Sequence, residues 1–202
     1  MTYKAHSFAI ALAILAAGCA RKPTIAPITP GTTILAFGDS LTAGTGAGKK
    51  HSYPAVLAEL LGCTVINAGK PGEVTAEGMA RLKTSINEHK PDLVILCHGG
   101  NDFLQKYSNK DVARRLTWMI ELIQEQQTDI ILIGVPRPGF VLRTSPIYAD
   151  LARKYQLPCD TETIAEILST PSLKADQIHP NAKGYRHLAH AILNLISYSS
   201  KN

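Results

Sequence analysis

Two short segments of this chain hold the three groups that nucleophilic acyl transfer requires. Gly38-Asp39-Ser40-Leu41-Thr42 follows an apolar run, and Asp176-Gln177-Ile178-His179-Pro180 precedes the final amphipathic stretch. A serine hydroxyl is a poor nucleophile at neutral pH and needs a base within about 2.6–3.2 Å. Imidazole, as in His179, can serve because it exchanges a proton near pH 7. Its second ring nitrogen needs a partner that holds the tautomer and stabilises the imidazolium. Asp176, three residues earlier, can reach that nitrogen within one turn. The pair is then a local unit, and only Ser40 must be brought in by the fold.

Each polar segment also has an ordinary structural reading. Ser40 can be a helix N-cap, and Lys70-Pro71-Gly72-Glu73 a glycine turn entering a helix. Gly99-Gly100-Asn101-Asp102 can be a loop with an Asx-turn, and Asp176 to His179 a capping segment with a surface histidine. Nor is the first segment a G-x-S-x-G elbow, because Thr42 stands at the final glycine position. His98 has no second ligand at metal spacing and reads as a packed histidine at a strand end. His187 and His190 lack a third ligand, so no metal is expected there. Asp39 and Asp102 read as loop-shaping hydrogen-bonding residues, and Lys49-Lys50-His51 as a solvated loop.

The elements that must position these residues alternate. Apolar, β-rich runs at Thr33–Phe37, Cys63–Asn67, Leu93–Cys97 and Ile130–Val135 read as strands. A fifth is expected at Leu157–Asp160, where Pro158 confines it to an edge. Between them lie helical periods at Pro54–Leu61, Thr75–His89, about Asn109–Gln127, Pro146–Tyr155 and Asn181–Ser197. Such alternation with short links predicts parallel strands joined by right-handed crossovers. The expected fold is therefore a three-layer α/β/α sandwich on a five-stranded parallel sheet. In sheets of this kind ligands bind beyond the carboxyl ends of the strands, where the four polar segments stand.

With 202 residues, 45% hydrophobic and 18% charged, the chain suits one globular domain and excludes global disorder. A net charge of +5 without long basic runs, and 6% aromatic residues, give no reason to expect nucleic-acid binding. Four cysteines are too few for a disulfide scaffold. Cys63, Cys97 and Cys159 are expected as buried free thiols, with one disulfide among them as the alternative.

Residues 1–18 carry Lys4 and then ten apolar residues, Phe8 to Ala17. Ten residues rising about 1.5 Å each cannot cross a hydrocarbon core of about 30 Å. The segment reads as a secretory signal, ending in Leu15-Ala16-Ala17-Gly18-Cys19, which resembles the lipobox of bacterial lipoproteins. That resemblance implies lipidation of Cys19, a membrane anchor through its acyl chains, and, with Ala20 rather than Asp next, a periplasm-facing outer membrane. Residues 19–31, with Pro23, Pro27 and Pro30, read as the lipidated cysteine and a Pro-rich tether reaching roughly 35 Å. The domain is expected over residues 32–202.

Gly-Asp-Ser-Leu after strand one, a glycine after strand two, Gly-x-Asn-Asp after strand three and Asp-x-x-His before the last helix resemble, together and in this order, the SGNH hydrolases or GDSL family. The resemblance runs from about Thr33 to Ile196. The runs Val65-Ile66-Asn67-Ala68-Gly69 and His179-Pro180-Asn181 look like the bacterial thioesterase I/lysophospholipase L1 branch and its arylesterase relatives. It implies a flavodoxin-like sheet, Ser40 as nucleophile, Asp176 and His179 as the rest of the triad, and an oxyanion hole from the N–H groups of Ser40 and Gly72 and the Asn101 amide. The implied protein is a monomeric serine esterase acting on small-molecule acyl esters, thioesters or lipids through an acyl-enzyme, without cofactor. A carbohydrate or peptidoglycan O-acetylesterase and a catalytically inactive binding lipoprotein are the alternatives on the same fold. The intact set Ser40, Asn101, Asp176 and His179 argues against the last. Pro71-Gly72-Glu73 departs from the Ser-Gly-Asp usual in that branch. Residues 103–109 and 136–145 are expected to build the acyl pocket, the second as a mobile wall or as a loop packed on its own domain.

Overall fold

The computed structural model describes residues 24–199. The signal segment 1–18, Cys19 and the start of the tether lie outside the described residues.

Strands β1 (Thr33–Gly38), β2 (Thr64–Gly69), β3 (Leu93–Cys97), β4 (Asp129–Ile133) and the edge strand β7 (Cys159–Asp160) form one parallel sheet in the order β2-β1-β3-β4-β7. β1, β3 and β4 are almost wholly apolar and buried because both sheet faces are covered. Helices α2 (Tyr53–Leu61) and α8 (Ala182–Ser199) pack together on one face, joined by α7 (Thr163–Ser169). The other face carries α3 (Thr75–His89), α5 (Asn109–Glu125) and α6 (Pro146–Tyr155). This is the expected α/β/α sandwich in flavodoxin-like order.

Helix limits follow local chemistry. α2 has Pro54 in its first turn and ends at Gly62, which takes a left-handed conformation and donates to Ala58 O. α5 starts where the Ser108 side chain accepts from Asp111 N. α8 starts where Asn181 Oδ1 accepts from the N–H groups of Lys183 and Gly184.

Several elements depart from the sequence expectation. The segment after β1 forms a one-turn helix, α1 (Ser40–Ala43), capped by Asp39, whose Oδ1 accepts from Leu41 N at 3.0 Å. Ser40 is thus the first helical residue and not the cap. The segment after β3, for which a loop with an Asx-turn is the ordinary structural reading, is a short helix, α4 (Gly100–Leu104). Residues 136–144 close a two-stranded antiparallel ribbon of β5 (Pro136–Arg137) and β6 (Arg143–Thr144).

The packed unit also begins before Thr32. Ile25 is buried beneath the sheet, and Ala26 N donates to Asp129 Oδ2 at 2.8 Å. Ile25 belongs to the hydrophobic core, and residues 25–29 line a surface pocket together with Asp92, Leu93 and Asp129 at the amino ends of β3 and β4. Cys63 and Cys97 are buried free thiols as expected, whereas Cys159 is half-buried. Burial, with the nearby Asp160, pushes the Cys159 thiol up to about 12.

The register sets the level of the site. Gly38 lies opposite Gly69 on one side and Cys97 on the other, so β1, β2 and β3 end together. A Cβ on Gly38 would lie 2.0 Å from Cys97 O, and one on Gly69 2.1 Å from Ala43 N. Glycine at these two positions lets α1 sit directly on the strand ends.

Candidate active site

The loop that carries Asp176 and His179 builds its own geometry. Asp176 Oδ1 accepts from the N–H groups of Ile178 and His179, both at 2.8 Å, while Oδ2 lies 2.8 Å from His179 Nδ1. Asn181 ties this loop to the fold through bonds from Nδ2 to Ser172 O and Lys174 O. His179 Nε2 then lies 3.1 Å from Ser40 Oγ across a sequence separation of 139 residues. Ser40, His179 and Asp176 therefore form one unbroken hydrogen-bonded chain. Burial alone would raise the Asp176 carboxyl. The hydrogen bonds from the imidazole and the two backbone N–H groups outweigh it and hold that carboxyl below its usual range.

Gly72 and Asn101 line the same cleft as Ser40 and His179. Gly72 has φ +81 and nothing within 4 Å of where a Cβ would stand. The left-handed backbone, rather than crowding by the protein, is what requires glycine there. Asn101, in the first turn of α4, donates from Nδ2 to Glu73 O at 3.0 Å. Asp39, as expected, shapes the loop: it caps α1 and stands 3.5 Å from Asn101 Nδ2. Burial raises its carboxyl, against the lowering effects of His98, the Leu41 N–H and His179. Asp102 likewise joins three helices, accepting from Thr75 N, Thr75 Oγ1 and Arg115 Nη1 at 2.8, 2.6 and 3.0 Å.

Sequence reasoning missed the role of Glu73. Its carboxylate is buried and takes two bonds from Arg81, Nε to Oε1 at 2.9 Å and Nη2 to Oε2 at 2.6 Å. His98 Nε2 lies 3.2 Å from the same Oε2. The signal was faint, an acidic loop residue eight positions before a helical arginine, with a histidine just past the end of β3. Burial alone would raise the Glu73 carboxyl, but the bonds from His98 and Arg81 and the Arg81 charge hold it at about 2 against an ordinary 4.5. A lowered value contributes stability that is fully present above about pH 4.5 and is lost as the pH falls toward 2. Glu73→Gln should flatten the acid decline between pH 5 and pH 3 by about 2 kcal/mol. Urea unfolding of both proteins between pH 5 and pH 3 checks this, and parallel declines would contradict it.

The cleft over these groups measures about 500 Å³. Leu104, Val135, Pro136, Pro138, Leu142, Leu168 and Ile178 give it apolar walls. The expected pocket loops both contribute. Leu142 and the prolines face the cleft, whereas Phe140 at the ribbon tip is fully exposed. Among the described residues no three His, Cys, Asp or Glu side chains gather as a metal site. His98 is buried, and His187 Nε2 stands 3.8 Å from Glu166. Lys49–His51 forms an exposed single turn.

Residues 36–187 match the family model described as GDSL-like Lipase/Acylhydrolase. The chain belongs to this family. It is 31% identical over 168 residues to the arylesterase of Vibrio mimicus, covering 77% of this chain and 84% of the relative. It is 28% identical over 157 residues to thioesterase 1/protease 1/lysophospholipase L1 of Escherichia coli K12, covering 74% and 76%. Among solved structures, that of AlinE4, an SGNH-hydrolase family esterase, superposes with a TM-score of 0.64 at 31% identity, over 86% of this chain and 98% of the other. The matched span takes in Ser40, Gly72, Asn101, Asp176 and His179. Membership makes the protein a carboxylic ester hydrolase of the SGNH type.

Proposed function

We propose that this esterase cleaves acyl esters through an acyl-enzyme on Ser40, and that it takes apolar acyl groups longer than acetyl. The observation that carries the reading is the chain from Ser40 Oγ through His179 to Asp176 at the foot of an apolar cleft. His179 Nε2 removes the hydroxyl proton as Oγ adds to the carbonyl carbon. The oxyanion that forms is met by the N–H groups of Ser40 and Gly72 and by Asn101 Nδ2. Collapse breaks the ester bond, and His179 returns its proton to the departing alkoxide or thiolate. A water, deprotonated in turn by His179, then releases the acid. A fluorophosphonate probe should label the native protein and not Ser40→Ala. With p-nitrophenyl esters from acetate to palmitate, kcat/KM should peak beyond acetate, in keeping with the apolar walls. A peak at acetate would support an O-acetylesterase instead.

The protein is further read as a bacterial lipoprotein, exported by its signal segment and anchored through acyl chains on Cys19. Support comes from the lipobox-like sequence Leu15-Ala16-Ala17-Gly18-Cys19, and the packing of Ile25 bears only on how the domain would stand on such an anchor. Only residues 20–24 separate Cys19 from that packed residue, a reach of roughly 15 Å. Ile25 sits at the amino ends of the strands, and the catalytic groups stand beyond their carboxyl ends, some 17–20 Å of strand away. The cleft thus opens away from the anchored pole, toward the aqueous compartment. Cys19→Ser should move the protein from the membrane to the soluble fraction, or leave its signal uncleaved. Membrane retention with a cleaved signal would exclude the lipid anchor.

A further inference from the structure

We infer that Glu73, clamped by Arg81 and His98, is a positioning residue that sets the two oxyanion donors outside the nucleophile segment. The inference rests on the assignment of Gly72 and Asn101 as those donors. Glu73 directly follows Gly72, so fixing its side chain fixes the peptide next to the Gly72 N–H. Arg81 grips both carboxylate oxygens and also donates to Ala68 O at 3.0 Å and Gly38 O at 3.3 Å, the ends of β2 and β1. Its guanidinium lies over the Phe37 ring, 4.1 Å from the centroid. The loop is thereby tied to the sheet edge that carries Ser40.

The tie to Asn101 runs by two routes. Gly99 N donates to His98 Nδ1 at 3.0 Å, which makes Nδ1 an acceptor and places the ring proton on Nε2. That proton is then directed to Glu73 Oε2 at 3.2 Å. One imidazole therefore links the Gly72 loop to the backbone that enters α4. By the second route, Glu73 O accepts one of the two Asn101 amide hydrogens at 3.0 Å. The side-chain amide, whose Nδ2 also stands 3.5 Å from Asp39 Oδ2, is thereby fixed in orientation at the cleft. Glu73 touches no substrate and acts through Gly72 and Asn101. The adjacent Lys70 Nζ, 3.6 Å away, is 58% exposed and adds little to a clamp already made by Arg81.

Gly78 of α3 supplies an independent handle. A Cβ there would lie 2.5 Å from His98 Nε2 and 3.0 Å from its Cδ2. Because His98 is fully buried, the ring cannot swing aside without leaving Glu73. Gly78→Ala thus disturbs the clamp without removing a polar group.

The test compares Glu73→Gln, Glu73→Asp and Gly78→Ala in the full chain at pH 7. Glu73→Gln sets an amide N–H₂ against donors from Arg81 or His98 and should lower kcat about 10- to 100-fold with KM changed less than about threefold. Gly78→Ala should lower kcat in the same sense, and Glu73→Asp, which keeps the charge, should recover part of the loss. Inhibition by an alkyl trifluoromethyl ketone, whose serine adduct carries an oxyanion, should weaken in parallel with kcat. Unchanged kcat in folded Glu73→Gln, a loss confined to KM, or undiminished ketone binding would overturn the inference. If Glu73→Gln does not fold, Gly78→Ala decides alone, and full kcat there would overturn it. Failure of the underlying assignment looks different: the wild type would resist fluorophosphonate, or Ser40→Ala would stay active.

Discussion

Ser40→Ala should lower kcat by at least about 10³-fold and leave the fold intact. The side-chain oxygen of Ser40 meets His179 Nε2 and fills no core volume. Its backbone carbonyl still accepts from the N–H groups of Gly44 and Thr45. Asp39 still caps α1 through Leu41 N, and alanine is the best helix former for the vacated place. The change in unfolding free energy should stay within about 0.5 kcal/mol. Residual turnover would come from the oxyanion donors and from substrate positioning. Steady-state kinetics beside urea unfolding separates the two quantities. Near-normal turnover would remove Ser40 from the nucleophile's role, and a large loss of stability would mean that its hydroxyl does structural work.

What could be read in the sequence was what depends on local pattern. β3 is a continuous apolar run because both its faces are covered, and its limits at Leu93 and Cys97 coincide with the structure. The Asp176–His179 unit was legible because three residues suffice to make it. Elements shorter than a hydrophobic period were not legible. α1 has four residues and α4 five, and each exists because the register of β1, β2 and β3 ends them level and capping or close glycine contact turns the chain. Ile25 could not be placed, since a single apolar residue among prolines is buried only by contacts that exist once the sheet has formed. The Glu73–Arg81–His98 cluster joins a loop, a helix and a strand end, a convergence that no spacing along the chain encodes.

Asp176→Asn should cost about 10²–10⁴-fold in kcat/KM, the second largest loss expected. The Asn side chain can still accept from the N–H groups of Ile178 and His179, so the loop should keep its shape. Against His179 Nδ1, however, it can present an N–H₂. The imidazole then takes the tautomer in which Nδ1 accepts and Nε2 carries the proton. A protonated Nε2 can donate to Ser40 Oγ but cannot remove its proton, and the base is lost without any displacement. The wild-type acid limb should fall with a slope of one proton, because His179 must be neutral to act and Asp176 is held below its usual range. The lowered Asp176 value also means that its contribution to stability is present above the ordinary carboxylate value and is lost as the pH falls from there through the lowered one. Groups that act as a unit are not additive, so Ser40→Ala with Asp176→Asn should be nearly as active as Ser40→Ala alone. A further loss of tenfold or more in the double variant would mean that Asp176 acts outside the triad, as a support for the turn that leads into α8. Rates on p-nitrophenyl esters for the four proteins of this cycle, at a pH on the plateau, distinguish the two.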